Sequence, residues 1–300
     1  MPKFKHALVK RSRMDMFAQV IIYIIVGSFA LITLLPFIYI FAGSFATDRE
    51  LIERPFFLFP KTISFNAYKY IFANGDIFRG LRNSLIVTVV GTTINMFFST
   101  TLAYPLSRPY FKGKKALFAM VLVSLLFSAG MVPNYLLIAN ILRLKNTYWA
   151  LWLPGAINMF NMLIIMNYFR SLPQEMEESA YIDGANDLQI FTRIMLPLSA
   201  PALASVSLFY AVNHWNSYFN AMMYISDRRW EVVQIMLRRI IFLTQSISSE
   251  TGVDWGMLGE PPEKSIRLAT TVFAVIPILC VYPFIQKYFT QGIMVGSVKG

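Results

Sequence analysis

Few residues in this chain have the types and spacing that catalysis or metal binding requires. The chain has one cysteine, Cys280, and two histidines, His6 and His214. These three residues cannot supply a disulfide framework, a four-ligand zinc site or a Cys/His catalytic pair. The acidic residues of segment 217–267 form no recognisable pair or motif, although hydrolysis and group transfer need a positioned acid and base. The sequence therefore predicts no catalytic residue and no metal ligand, which disfavours a membrane-embedded enzyme.

The remaining polar residues must be positioned by membrane helices. The 300 residues are 56% apolar and 14% charged, whereas soluble domains are ~45–50% apolar and ~25% charged. Six stretches without Asp, Glu, Lys or Arg are long enough to cross the hydrocarbon core, which takes ~17–25 residues. The predicted spans are 17–46, 84–107, 116–142, 146–169, 194–226 and 268–286. We therefore expect an all-α integral membrane protein with a tail (1–14) and a single transmembrane domain (15–300).

The basic residues predict how these spans are oriented. Five Lys and Arg lie in the N-terminal tail, and four lie in the short connection 108–115. Dense basic clusters in short segments stay on the cytoplasmic side, and an even number of crossings returns the chain to the side where it began. Both termini are therefore expected in the cytoplasm. The net charge of +11 fits anionic membrane lipids as a partner better than nucleic acid.

The six predicted spans contain no ionisable carboxylate, amine or guanidinium. Pumps and ion-coupled carriers use such groups to hold a proton or a sodium ion. His214 is interpreted as a hydrogen-bonded residue and not as a proton relay. The uncharged polar residues have two interpretations, hydrogen bonds between helices or a lining for a hydroxyl-rich solute. The candidates for a substrate pathway are Asn83, Asn95, Asn158, Asn161, Trp215 and Asn216.

The connection between the fourth and fifth spans, 171–193, has the pattern of two short helices joined by a sharp turn. Ser171 begins a Ser-x-x-Gln capping box, and several acidic residues follow where they complement the helix dipole. Gly184 is expected to end the first helix in the left-handed conformation, and the second is expected to start at Asn186 or Asp187. Anionic lipids would repel this acidic segment, so docking into a protein groove is favoured over lying on the membrane.

The same segment resembles the EAA loop of binding-protein-dependent ABC importer permeases. That pattern is EAA, three residues, Gly, nine residues, Ile, one residue, Leu-Pro. Here it reads Glu178-Ser-Ala180, Gly184, Ile194 and Leu196-Pro197, with Ser179 in place of the first Ala. Other stretches resemble the second permease of maltose-type oligosaccharide importers, so that the resemblance covers nearly the whole chain. These stretches are Asn83-Ser84, 102–108, 215–217 and 292–300.

The resemblance implies an ABC type I importer permease fold, with six transmembrane helices, a cytoplasmic coupling helix and a location in the bacterial cytoplasmic (inner) membrane. Its implied function is to form half of a translocation pathway for oligosaccharides or polysaccharide fragments. The implied partners are a second permease subunit, two ATP-binding subunits and an extracytoplasmic solute-binding protein. This chain itself would bind no cofactor, because ATP and Mg are used by the partner ATPase. The implied coupling residues are Glu178, Ser179, Ala180, Asp183, Gly184 and Ala185.

Two questions stay open at the level of the sequence. A passive channel or an ion-coupled carrier for a polar solute is the alternative function, although a docking loop has no purpose in a simple pore. The sugar is the second question, and uronate-rich fragments of the alginate or pectin type are one interpretation. Exported arginines would attract a uronate chain, or they would balance local acids and anchor loops. These arginines are Arg79, Arg82, Arg228, Arg229, Arg238 and Arg239.

The predicted topology can be tested by labelling single cysteines in a Cys280→Ser background. We expect segments 47–82 and 217–267 to be exported, because the dense basic clusters lie on the other side of the membrane. A cysteine at position 112 should therefore react with an impermeant reagent only after the cells are opened. Labelling of position 112 on intact cells would contradict the topology.

Overall fold

The computed structural model describes residues 13–73, 76–127, 129–250 and 263–297, and its regular elements over these ranges are helices without any strand. The first helices are α1 (Arg13–Ser44), α2 (Asp48–Glu53), α3 (Asn66–Ala73), α4 (Asp76–Ser107), α5 (Lys114–Leu126), α6 (Met131–Tyr135), α7 (Trp149–Trp152) and α8 (Met159–Ser171). The later helices are α9 (Glu175–Ile182), α10 (Asp187–Ile190), α11 (Leu196–Leu198), α12 (Ala200–Trp215), α13 (Tyr218–Tyr224), α14 (Val233–Glu250) and α15 (Glu263–Ser297). Short π-helical segments follow α6 (Leu136–Ile141) and α10 (Phe191–Met195), and a 3-10 turn covers Arg228–Trp230.

The chain divides into two compact units. The first contains Met1–Tyr70 and Ile247–Val272, and the second contains Ile71–Ser246 and Phe273–Gly300. The single transmembrane domain over 15–300 stays a prediction. The described residues leave out most of the predicted N-terminal tail, residues 251–262 of the predicted exported segment and the last three residues of the chain.

Within the described residues, three helical stretches are long and apolar enough to cross a membrane. They are Met16–Ser44 in α1, Ile77–Ser107 in α4 and Lys264–Val281 in α15. Two bent pairs of helices would raise the number to five if each pair is one span. The pairs are Lys114–Leu126 with Met131–Ile141, bent by 115°, and Asp187–Leu198 with Ala200–Trp215, bent by 81°. The count of six spans therefore remains a prediction.

The fourth predicted span, 146–169, is not one continuous helix. It contains the short helix α7 and the 13-residue helix α8, with a loop between them. Proline at position 154 lacks the N–H that a continuing helix needs, and Asn158 caps α8 by accepting a hydrogen bond from the backbone N–H of Asn161 at 3.0 Å. The absence of charges thus identified an apolar segment but did not show where the helix within it is interrupted.

The core of the second unit lies where α4, α8 and α12 pack together. Its fully buried side chains include Leu106 of α4, Phe169 of α8 and Val206 of α12. Lipid tails are as apolar as these side chains, so close packing and hydrogen bonds between helices hold such a bundle together. One of these bonds, 2.7 Å long, joins the hydroxyls of Ser99 on α4 and Tyr210 on α12.

Helices α4 and α12 also approach each other at Gly91. The Nε2 atom of His214, a buried residue of α12, lies 2.6 Å from Oδ1 of Asn95 on α4. The amide of Asn95 in turn donates a hydrogen bond to the carbonyl of Gly155. A Cβ atom at position 91 would lie 2.6 Å from Nε2 of His214. Glycine therefore leaves the space that the His214 ring occupies, and His214 is hydrogen-bonded, as the sequence predicted.

We expect Gly91→Ala to destabilise the protein by about 1–3 kcal/mol, because the added methyl group displaces the ring of His214 and lengthens its bond to Asn95. Gly27→Ala on α1 is the matched control, since no atom lies within 4 Å of the added methyl group. The midpoint of thermal unfolding in detergent measures both variants. An unchanged midpoint for Gly91→Ala would show that α4 and α12 do not need glycine here.

Candidate functional site

The segment with the EAA-like pattern forms α9 and α10, separated by a tight turn. Gly184 has a φ of +81°, which confirms the predicted left-handed conformation. The turn is closed by hydrogen bonds from the N–H of Gly184 to the carbonyl of Tyr181 at 3.0 Å and from the N–H of Ala185 to the carbonyl of Ala180 at 2.9 Å. Helix α10 begins at Asp187 with Asn186 as its cap, as predicted.

The predicted capping box at Ser171 is wrong. Helix α8 extends to Ser171, so its hydroxyl lies in the last turn and donates a hydrogen bond to the carbonyl of Tyr168 at 2.7 Å. The capping box of this segment is at the start of α10 instead. There the backbone N–H of Gln189 donates to the side chain of Asn186, and the backbone N–H of Asn186 donates to the side chain of Gln189, each at 2.9 Å.

The six predicted coupling residues separate into an exposed group and a packed group. Glu178, Ser179, Asp183 and Gly184 are exposed, whereas Ala180 is buried in the core cluster and Ala185 packs against it. Ile182 is 86% exposed and lies one helical turn after Glu178, so that it shares a face with the exposed residues. Ile182 was not among the predicted coupling residues, although its i+4 spacing from Glu178 indicates the same face. We call Glu178, Ser179, Ile182 and Asp183 the outer face of α9.

The buried side of α9 carries an ion pair that the sequence analysis did not find. Glu177, 5% exposed, pairs with Arg108, 4% exposed, which follows directly after the end of α4. Burial raises the pKa of the Glu177 carboxyl, Arg108 opposes that shift, and Asp187 adds to it. No spacing in the sequence connects two residues on different helices. The only sequence signal was a basic residue at the end of a span.

Arg108 is fixed to α4 by its surroundings. Its Cζ atom lies 5.0 Å from the ring centre of Tyr104, one turn earlier on α4, in a cation–π contact. Its Nη2 atom lies 3.2 Å from the sulfur of Met195, and its carbonyl accepts a hydrogen bond from Nζ of Lys114 at 2.9 Å. Arg170 at the end of α8 donates to the carbonyl of Leu106 at 3.2 Å. The guanidinium therefore has a fixed position at the end of α4.

A second polar contact joins the connection after α4 to α9 and α10. The hydroxyl of Tyr181 on α9 donates to the carboxylate of Asp187 on α10. The hydroxyl of Tyr110, in the connection after α4, lies 3.1 Å from the Tyr181 hydroxyl. Burial and the hydrogen bond with Asp187 raise the pKa of Tyr181, so this hydroxyl keeps its proton at neutral pH. α9, α10 and the end of α4 therefore share one polar network.

Among the predicted pathway residues, Asn83 lies near the start of α4. It is fully buried, and its Nδ2 donates to the carbonyls of Arg229 at 2.9 Å and Glu231 at 2.8 Å. Its Oδ1 accepts a hydrogen bond from the hydroxyl of Tyr148 at 2.9 Å. The next residue, Ser84, accepts one from the N–H of Val233 at 2.9 Å. These bonds hold segment 229–233 against the start of α4.

The other predicted pathway residues are in different environments. Asn95 and Asn158 use their side chains in the hydrogen bonds described above, and Asn161 is buried. Trp215 donates from Nε1 to the carbonyl of Ala274 at 3.0 Å. Asn95 and Trp215 therefore match the interpretation as bonds between helices, whereas Asn158 caps its own helix, and the pathway role of all four stays a prediction. Asn216 differs, because it is exposed on the wall of a polar cavity of about 430 Å³.

A larger cavity, of about 1030 Å³, lies between α4 and the segment from α10 to α12. Its lining is mostly apolar and includes Met96, Tyr104, Phe191 and Leu203. Arg108 reaches its wall, but none of the six predicted pathway residues does. The two cavities therefore differ in character, and the smaller one offers the neutral polar groups that a hydroxyl-rich solute needs.

The two interpretations of the asparagines predict different results. We expect Asn83→Ala to lower stability by about 1–3 kcal/mol, because two backbone carbonyls and a tyrosine hydroxyl lose their partner at a fully buried side chain. Asn216→Ala, at an exposed position, should leave stability unchanged. Thermal unfolding in detergent and uptake kinetics in cells separate the two effects. A stable Asn83→Ala variant with a raised KM for uptake would instead favour substrate contact at Asn83.

A protein family described as "Binding-protein-dependent transport system inner membrane component" matches residues 6–295. The match extends over both compact units and includes α9 and α10. The chain belongs to this family. It is therefore the non-catalytic, inner-membrane permease component of an ABC transporter, as the resemblance implied.

Individual proteins agree with the family. The permease is 49% identical to protein LplC of Bacillus subtilis (strain 168) over 274 residues, 91% of this chain and 92% of that protein. It is 46% identical to the polygalacturonan/rhamnogalacturonan transport system permease protein YtcP of the same organism over 282 residues, 94% and 98% of the two chains.

A solved structure supports the fold. It is the crystal structure of a bacterial ABC transporter involved in the import of the acidic polysaccharide alginate. One of its chains is similar to this permease with a TM-score of 0.81 and 31% sequence identity, over 93% of this chain and 98% of that chain. The predicted all-α ABC type I importer permease fold is thereby confirmed, while the number of spans is not.

Proposed function

We propose that this permease imports uronate-containing oligosaccharides as half of a translocation pathway. The other half is a second permease subunit, two ATP-binding subunits dock from the cytoplasm, and a solute-binding protein delivers the sugar outside. Both chain termini are cytoplasmic. Two similarities carry the substrate class. One, in sequence, is to a permease of a polygalacturonan/rhamnogalacturonan transport system, and the other, in structure, is to an ABC transporter involved in the import of the acidic polysaccharide alginate.

The docking of α9 into a cleft of the ATPase is supported by its exposed surface. The outer face of α9 combines the acidic residues Glu178 and Asp183 with the exposed apolar side chain of Ile182. A partner groove binds such a helix by its apolar side chain, and the charges fix its orientation. The left-handed Gly184 ends this helix, so that the outer face is short and its position is defined.

We expect Gly184→Val and Glu178→Lys to abolish sugar uptake and weaken association with the ATPase. Valine at a φ of +81° is strained by roughly 1–3 kcal/mol, and lysine reverses a charge on the outer face of α9. Matched controls are Gly27→Val, at an open position of α1, and Glu53→Lys, at an exposed position of α2. Copurification of the ATPase and uptake of labelled sugar measure the effect. Full uptake in both coupling variants would refute the docking.

The exported arginines differ in their support for a uronate. Arg229 pairs with Asp227 at 2.7 Å, and Arg239 pairs with the buried Glu231, so these two balance local acids. Arg238 is exposed, and its Cζ atom lies 4.6 Å from the ring centre of Tyr218, a residue of the 430 Å³ cavity that also contains Asn216. An aromatic ring, an amide and a guanidinium together suit an acidic sugar.

We expect uronate oligosaccharides to stimulate ATP hydrolysis by the complex more than neutral oligosaccharides of equal length. Arg238→Gln should raise the half-maximal uronate concentration by about tenfold, because a charge-assisted hydrogen bond is lost. Arg229→Gln is the control, since its guanidinium is paired with Asp227. Equal stimulation of ATP hydrolysis by the two sugar classes would refute the acidic substrate. So would uronate uptake that is unchanged both when Arg228 and Arg229 are replaced by Ala and when Arg238 is replaced by Gln.

A further inference from the structure

The ion pair between Arg108 and Glu177 belongs neither to the outer face of α9 nor to the substrate pathway. We infer that this pair makes α4 the helix that receives the motion of α9, so that Arg108 and Glu177 are positioning residues for coupling. The inference deepens the proposed function, because it rests on the docking of α9 into the ATPase. It adds the route by which that docking reaches the outward side.

The geometry of α9 separates docking from transmission. Glu177 and Ala180 are three residues apart, so that they lie on one side of the helix, and both are buried. Glu178, Ser179 and Ile182 are exposed on another side. A partner that holds the exposed side therefore leaves the buried side attached to the permease, and force applied by the partner passes through α9.

To transmit motion, the buried side of α9 needs a contact that does not shift along the end of α4. Apolar contacts such as that of Ala180 can be exchanged for neighbouring apolar contacts at small cost. A buried charge cannot be displaced in this way, because it loses its counter-charge without gaining water. Buried polar and ionic pairs are best attested as devices that fix register, whereas their net contribution to stability is small. The pair therefore fixes α9 to one position at the end of α4.

The receiving side of the contact is rigid. Arg108 is held by the ring of Tyr104 on its own helix, by the sulfur of Met195 and, through its carbonyl, by Lys114. A guanidinium with these neighbours cannot follow Glu177 by changing its rotamer alone. Displacement of α9 therefore displaces the end of α4.

A displacement of the end of α4 that carries Arg108 also moves the start of this helix. It is helical over 32 residues, about 48 Å at 1.5 Å per residue, with Pro105 in its last turn. Near its start, Asn83 and Ser84 bind segment 229–233 through three hydrogen bonds of 2.8–2.9 Å. The same helix thus has a charged attachment to α9 at one end and a polar attachment to segment 229–233 at the other.

The test uses the complete complex of both permeases, the ATPases and the solute-binding protein, reconstituted in liposomes. Glu177→Gln and Arg108→Met each remove one charge of the buried pair. Glu53→Gln is the matched control, because it removes one charge of an exposed pair, Arg49–Glu53, in which the two side chains are 87% and 60% exposed. Three quantities are measured: the amount of ATPase bound, the rate of ATP hydrolysis, and the sugar transported per ATP hydrolysed.

We expect both buried-pair variants to keep the ATPase bound, because the outer face of α9 is unchanged. ATP hydrolysis should continue, while sugar transported per ATP should fall by about tenfold or more. The exchanged pair, Arg108→Glu with Glu177→Arg, should recover much of the transport, because it restores opposite charges at the same contact. Glu53→Gln should behave like the unaltered complex.

Several results would overturn the inference. The inference fails if both single variants transport as much sugar per ATP as the unaltered complex. It also fails if both variants lose the bound ATPase, because the ion pair would then only support the docking surface. If the single variants do not insert into the membrane, the exchanged pair decides, and its failure to transport refutes the inference. Failure of the proposed function is recognised separately, since the unaltered chain would then bind no ATPase.

Discussion

The buried contact between Arg108 and Glu177 is the interaction on which the position of α9 depends. Helix α9 is only eight residues long, and an isolated helix of that length is unstable in water. It keeps its place because Ala180 packs into the core cluster and because Glu177 meets a guanidinium fixed at the end of α4. The exposed residues of α9 are therefore held in position by buried contacts.

The same principle operates near the start of α4. Asn83 and Ser84 hold segment 229–233 by hydrogen bonds that are shielded from water, and a buried polar group without such partners is costly. Between these ends, Gly91 lets His214 of α12 approach Asn95. Helix α4 thus makes polar contacts near both ends and, between them, at Asn95 and Ser99, while apolar side chains pack between α4 and α8.

Local features of the site followed from the sequence, and contacts between distant residues did not. The left-handed turn at Gly184 was predictable because few residues other than glycine adopt positive φ easily. The cap at Ser171 was mispredicted because the composition does not show that α8 continues to that residue. The break within 146–169 was missed because a stretch without charges does not show where a helix ends, although Pro154 lies at the break. The pairing of Arg108 with Glu177 depends on tertiary packing, which a single sequence does not encode in any spacing.

A distance measurement within the working complex tests the central claim, that α9 and the end of α4 move as one body. Spin labels would be attached at Lys112→Cys, after α4, and at Glu175→Cys, in α9, in a Cys280→Ser background. We expect the separation to stay constant within about 2 Å between the nucleotide-free and the ATP-bound complex. A change of about 5.4 Å, the slide of one helical turn, would contradict it, because α9 would then move past α4 without carrying it.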